Sequence, residues 1–218
     1  MTFNNNKTKV IFLIYIYGQI LKKDLITILD KHSNNSARYV EKLKESNVIE
    51  IDKSSNLVSL TKESIKEAKE LTKIKKNNKQ ITDHNLLAFE SMIELLDKID
   101  VSSIDYEQSV SNTSLRSDLK ITTVSGIELY IEFDNGTETV IEIKNKVVQY
   151  ELNNYQALFI FRALNDSFRA LFANPNITAL ELKELSGFKL DQRTAGKEEK
   201  TTLKNLDLKL FELIALDH

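Results

Sequence analysis

The chain has 218 residues, of which 41% are hydrophobic and 28% charged, with a formal net charge of -2 at pH 7. That length and composition allow one large domain or two modest ones, each able to bury a core, and exclude an intrinsically disordered chain. The absence of cysteine excludes a disulfide framework and thiolate metal sites, and no apolar run reaches the length of a membrane span.

Lys7 and Lys9 precede the apolar run of residues 10–17 as in a signal peptide. Gly18, Gln19 and Lys22 end the run too early, and no small-residue cleavage site follows, so the expectation is a cytoplasmic protein. Residues 10–20 are apolar at helical spacing, and residues 21–32 repeat the period with Leu25, Ile28 and Leu29 on one face. Ser33, Asn34 and Asn35 are candidate N-caps of a third helix, which runs through Ala37, Val40 and Leu43 and breaks near Asn47. Residues 48–51 and 57–60 read as two short strands around the polar tip DKSSN, and Thr61 caps a further helix. Helix, helix, turn, helix, hairpin, helix is the order of a winged helix-turn-helix, placed at residues 1–80.

Charge divides along the chain in the same place. Residues 1–80 carry 16 Lys+Arg against 9 Asp+Glu, a net +7, and residues 81–218 carry 14 against 23, a net -9. A local positive face is all that phosphate contacts need. With Ala37, Val40 and Leu43 taken as the buried side of the third helix, Asn35, Ser36, Arg38, Tyr39 and Lys42 are the candidate contacts to double-stranded DNA. Lys53 and Ser54 join them from the wing tip. Asn and Arg suit base edges, and Lys and Ser suit phosphate. Winged helices also serve as dimerisation or protein-docking modules, in which the same face is simply solvated.

Residues 73–84 are polar, carry four lysines, and read as a helix end and linker. Residues 85–99 form an amphipathic helix expected to cover a sheet, with His84 just before it. His32, His84 and His218 are the whole histidine complement, too few and too scattered for a histidine metal cluster. No Gly-rich phosphate loop and no serine nucleophile motif is present. Residues 115–126 and 127–136 alternate as strands, the second closing on the turn pair Asn135-Gly136. A helix with Thr137 as cap follows, then the continuous apolar strand of residues 157–163, a return to helical spacing, and the short strand ITALEL. That succession describes an α/β sheet with a central crossover helix, at residues 81–218. In residues 201–216, Leu203, Leu206, Leu210, Phe211 and Ile214 share one side of a further amphipathic segment. It is expected to pack on its own domain's sheet, with an exposed partner or dimer helix as the alternative.

The segments LVSLTKES, RSDLKI, YIEFDNGTE, KNKVVQY and ALFIF fall in an order that resembles the replication-relaxation family of plasmids and mobile elements. Glu132, Asp134, Gly136, Thr137, Glu138, Lys146 and Tyr150 match its pattern of an acidic dyad, Gly-Thr, and a Lys shortly before a Tyr. The resemblance implies an α+β or α/β chain with a DNA-binding winged helix and a C-terminal domain like the PD-(D/E)xK nuclease fold. It also implies an accessory role in plasmid replication or conjugative mobilisation, with a relaxase, replication or coupling protein as partner.

A PD-(D/E)xK site needs two carboxylates for Mg²⁺ and a Lys beside the attacking water. Asp118 and Glu132 are the candidate metal ligands, but Asp134 stands where the motif has Lys. The basic role would have to pass to Lys120, Lys144 or Lys146. The expectation is therefore a non-catalytic domain that needs no cofactor. The alternatives are a Mg²⁺-dependent endonuclease using Asp118, Glu132, Asp134 and Lys146, and a winged-helix transcriptional regulator whose second domain dimerises.

Overall fold

The computed structural model describes residues 5–30, 35–72, 74, 76–174 and 176–188. These form a mixed α+β structure that divides into two compact units, one ending at Ile93 and one beginning at Glu94. No helix among the described residues is long and apolar enough to cross a membrane.

The first unit opens with α1 (Asn6–Tyr17), capped by Asn5, whose side chain accepts from the Thr8 N–H at 2.9 Å. Val10 to Tyr17 are all buried, as a helix without a polar face requires. Then come β1 (Ile20–Leu21), α2 (Lys22–Asp30), α3 (Ser36–Glu45), β2 (Ile49–Ile51), β3 (Leu57–Leu60) and α4 (Lys62–Leu71). β3 is central in a three-stranded antiparallel sheet, pairing Val58 with Ile20 and Leu60 with Ile49. Thr61 caps α4 as anticipated, its Oγ1 accepting from the Ser64 N–H. Asn35 occupies the N-cap position of α3 without a side-chain capping bond.

Residues 77–81 are more than a linker. The Asn77 N–H donates to the Tyr15 carbonyl at 3.0 Å, the Gln19 N–H to Lys79 at 2.8 Å, and the Ile81 N–H to Gln19 at 2.8 Å. Gly18 sets this close approach: its φ is +104°, and a Cβ there would lie 2.2 Å from the Lys79 carbonyl oxygen. The division between units consequently falls beyond residue 80, within α5 (Asp83–Leu95), and His84 sits in the first turn of that helix.

The second unit carries a five-stranded sheet in which spatial order follows chain order. Its elements are β4 (Val101–Ser109), β5 (Arg116–Thr123), β6 (Glu128–Asp134), α6 (Val140–Leu152), β7 (Gln156–Phe161), α7 (Asp166–Arg169) and β8 (Ile177–Glu181), with a 3₁₀ turn at Leu182–Gly187. β4, β5 and β6 are antiparallel, whereas β6, β7 and β8 are parallel, so α6 is the crossover between β6 and β7. Ile143, Val147 and Tyr150 of α6 pack with Tyr130, Phe159 and Phe161 of the sheet. The cap of α6 is Thr139, in a capping box with Glu142, and not Thr137. The Asp134 carboxylate takes the N–H groups of Gly136, Thr137 and Glu138, so the helix begins only after them. Residues 201–216 lie outside the described residues.

Candidate functional site

On α3 the buried series is Ser36, Val40 and Leu43, at i, i+4 and i+7. The sequence reading placed Ala37 inside and Ser36 outside; the structure reverses them, with Ala37 exposed and Ser36 only 1% exposed. Ser36 is therefore removed from the candidate contacts. Asn35, Arg38 and Lys42 are exposed and Tyr39 is half-buried; they line one open groove together with Glu41 and Glu45. Glu41 also pairs with Lys22 of α2 at 2.5 Å. At the tip between β2 and β3, Lys53 and Ser54 are exposed. Asp52 accepts from the Ser54 and Ser55 N–H groups at 2.8 Å and from the Ser54 hydroxyl at 2.5 Å, holding its carboxyl well below the usual range. Both donors of Ser54 are thus committed within the tip, which corrects its reading as a phosphate donor and leaves Lys53 as the cation there.

The second cluster forms where β5, β6 and α6 meet. β5 and β6 pair Leu119 with Ile131, so one step further along this antiparallel register Asp118 stands across from Glu132. The Asp118 Oδ2 accepts from the Phe133 N–H at 2.8 Å. Glu132 is only 2% exposed, and both of its oxygens are engaged: Oε1 accepts from the Tyr150 hydroxyl at 2.5 Å and Oε2 from Lys146 Nζ at 2.9 Å. The same Nζ reaches Glu138 Oε1 at 2.6 Å. Lys146 and Tyr150, four residues apart on α6, present side chains to the same strand end because Ile143 and Val147 hold that helix face on the sheet.

Burial pushes the Glu132 carboxyl up to about 7; the Lys146 cation pulls it down, and the Asp118 charge adds to the rise. Burial works against the Lys146 charge, but the Glu132 and Glu138 carboxylates outweigh it and hold the ammonium above its ordinary value. Burial and then the Glu132 charge push the Tyr150 phenol far up, so it stays a donor. Of the three candidate lysines, Lys146 alone meets Glu132. Lys144 is exposed, and Lys120 pairs with Glu128 at 2.5 Å while lying over the Tyr130 ring. Asp134 does not stand in for a lysine: its Oδ1 caps the turn into α6, and its Oδ2 is buried without a donor, as is Glu138 Oε2. The part played by Glu138 and the Tyr150 hydroxyl escaped sequence reading, although the Lys146/Tyr150 spacing pointed to a shared face.

These residues do not fit a divalent ion as they stand. Both Glu132 oxygens accept from side-chain donors, one of them a cation, and among the described residues no group of three His, Asp or Glu side chains is placed to hold a metal.

No known family's sequence model matches the chain, and no curated protein matches it. Among solved structures, the protein VC1899 from Vibrio cholerae is similar at a TM-score of 0.35 and 10% identity, over 84% of this chain and 55% of that one. The chain thus spans about half the length of that protein.

Proposed function

We propose that the protein binds double-stranded DNA through a winged helix-turn-helix in its first unit and carries a nuclease-like second unit that does not cut. The DNA reading rests on α3, which turns Val40 and Leu43 inward and leaves Arg38 and Lys42 exposed, within residues 1–80, whose net charge is +7. The second half of the reading is supported by Glu132, the residue a nuclease would use to hold Mg²⁺, whose oxygens are taken by Lys146 and Tyr150. On this reading the second unit serves as a scaffold for a protein partner, a relaxase, replication or coupling protein in the setting that the family resemblance implies.

One observation favours a second reading, a Mg²⁺-dependent endonuclease. Lys146 stands 2.9 Å from Glu132 and supplies the cation that the Asp134 position lacks. A single experiment separates the two. The full chain is tested for gel shifts on origin, transfer-origin and promoter fragments, then incubated with supercoiled, linear and single-stranded DNA in Mg²⁺ or Mn²⁺. Site binding without cleavage is the expected result. Nicking abolished by both Asp118→Ala and Glu132→Ala establishes the endonuclease, and no binding to any fragment removes the DNA reading altogether.

A further inference from the structure

The groove on α3 is not a plain basic face. Of the residues that line it, Arg38 and Lys42 are balanced by Glu41 and Glu45, so the groove carries no net charge although residues 1–80 together carry +7. Phosphate is met by cations, and carboxylates set among them lower the affinity for any stretch of DNA backbone. Base edges differ, because they offer hydrogen-bond donors as well as acceptors, and an ionised carboxylate can only accept. Two carboxylates on the face that carries the DNA reading therefore point to contact with base amino groups. Glu41 is the better placed. It stands one turn beyond Arg38, whereas Glu45 is the last residue of the helix. Lys22 Nζ, from α2, donates to Glu41 Oε1 at 2.5 Å, which fixes the direction of this half-buried side chain and leaves Oε2 to accept a further donor. The hydrogen bond from Lys22 and then its charge hold the Glu41 carboxyl below its ordinary value, so it is ionised at neutral pH.

We propose that Glu41 is a specificity determinant that accepts from the N4 amino group of a cytosine in the DNA site, with Lys22 as the positioning residue that aims it. The inference rests on the DNA reading of α3. Cytosine fits because its major-groove edge presents the amino group without an acceptor of its own. Guanine and thymine present acceptors that repel a carboxylate, and adenine sets its N7 acceptor beside the amino group. Arg38, one turn away on the same helix, suits guanine, so the sequence that α3 reads holds a guanine and a cytosine near one another. Glu41 contributes by exclusion as well: where no amino group meets it, its charge faces acceptors and phosphates and weakens binding to unrelated DNA.

The test selects bound sequences from a randomised duplex DNA pool with the full chain as wild type, Glu41→Gln, Glu41→Ala and Lys22→Met, and compares the base preferences position by position. The wild type is expected to enrich a cytosine at one position where Glu41→Gln prefers adenine by about tenfold, because a glutamine amide pairs with adenine N6 and N7 together. Glu41→Ala should lose the preference at that position alone and hold unrelated DNA more tightly. Lys22→Met keeps the carboxylate but releases it, and should soften the same preference to a smaller extent. A purely structural role for the Lys22–Glu41 pair would instead weaken all sequences alike. Should Glu41→Ala fail to fold, Glu41→Gln decides, since it matches glutamate in size and its amide oxygen can still accept from Lys22. The same base preferences in wild type and Glu41→Gln would overturn the inference while leaving the DNA reading in place, whereas a wild type that enriches no sequence removes both.

Discussion

Lys146 and Glu132, fourteen residues apart, meet at 2.9 Å at the corner where α6 returns over β6, the lysine half-buried and the carboxylate almost fully so. A buried ion pair of this kind is not by itself a large source of stability, but removing one partner strands the other. Lys146→Met is expected to destabilise the chain by about 3 kcal/mol, because Glu132 keeps its burial and loses its cation. Glu132→Gln/Lys146→Met should cost less than the two single variants added together. Urea midpoints for the four proteins of this cycle measure the coupling, and strict additivity would show that the pair does not interact.

The same carboxylate predicts a pH dependence. Its ordinary value of 4.5 is raised to about 7 in the fold. Between those two values the folded state keeps a proton that the unfolded chain has released, so the Glu132 contribution to stability falls as pH rises through this window. The fall totals about 3 kcal/mol and is complete above pH 7. Glu132→Gln removes it. The stability difference between wild type and Glu132→Gln should change steadily from pH 4.5 to 7, and a level difference curve would refute the assignment.

Gly18→Ala is expected to destabilise the first unit by roughly 3 kcal/mol or more, since it combines a positive φ with a Cβ placed 2.2 Å from a backbone oxygen. Gly126 and Gly136 also have positive φ, but a Cβ meets nothing within 4 Å at either. Gly136→Ala should therefore cost only about 1 kcal/mol. Thermal melts of the two variants give the comparison.

Arg38→Ala and Lys42→Ala should each weaken binding to the preferred DNA fragment. Arg38, the residue suited to two-bond pairing with a base edge, should relax sequence preference at a cost of about 1–3 kcal/mol. Lys42 should weaken all fragments alike and lower the salt-dependence slope by about 1. Gel shifts at several salt concentrations separate the two behaviours, and unchanged affinity in both variants would move the contact surface off α3.

Legibility in the sequence varied with how strongly a pattern was imposed. β7 was plain because burial on both faces makes it a continuous apolar run. β4 went unread: its sequence VSSIDYEQS is largely polar, it lies at the edge of the sheet, its pairing shifts register between Val101 and Ser103, and Glu107 takes a positive φ. The face of α3 was misplaced by one residue because Ala37 is apolar, yet the i, i+4, i+7 series with Val40 and Leu43 begins at Ser36. At the β5–β6–α6 corner, Asp118 and Glu132 are singled out by the resemblance to the PD-(D/E)xK pattern, which needs two carboxylates for Mg²⁺. The choice between Lys144 and Lys146 depended on the rotation of α6 about its axis, which Ile143, Val147 and Tyr150 determine only once they rest on the aromatic side chains of the sheet, while Lys120 of β5 is taken by Glu128.

The hydrogen bonds from residues 77–81 back to Tyr15, Tyr17 and Gln19 join positions about sixty apart in the chain. They close a ring around α2, α3 and the β2–β3 hairpin, so the first unit completes itself only when its far end has been made and returned. A ribosome-bound chain that has emerged only as far as α4 lacks these donors and acceptors, and the loop-closure entropy falls on a late step. This unit should accordingly gain its cooperative stability at one chain length, within α5, rather than gradually as its helices appear.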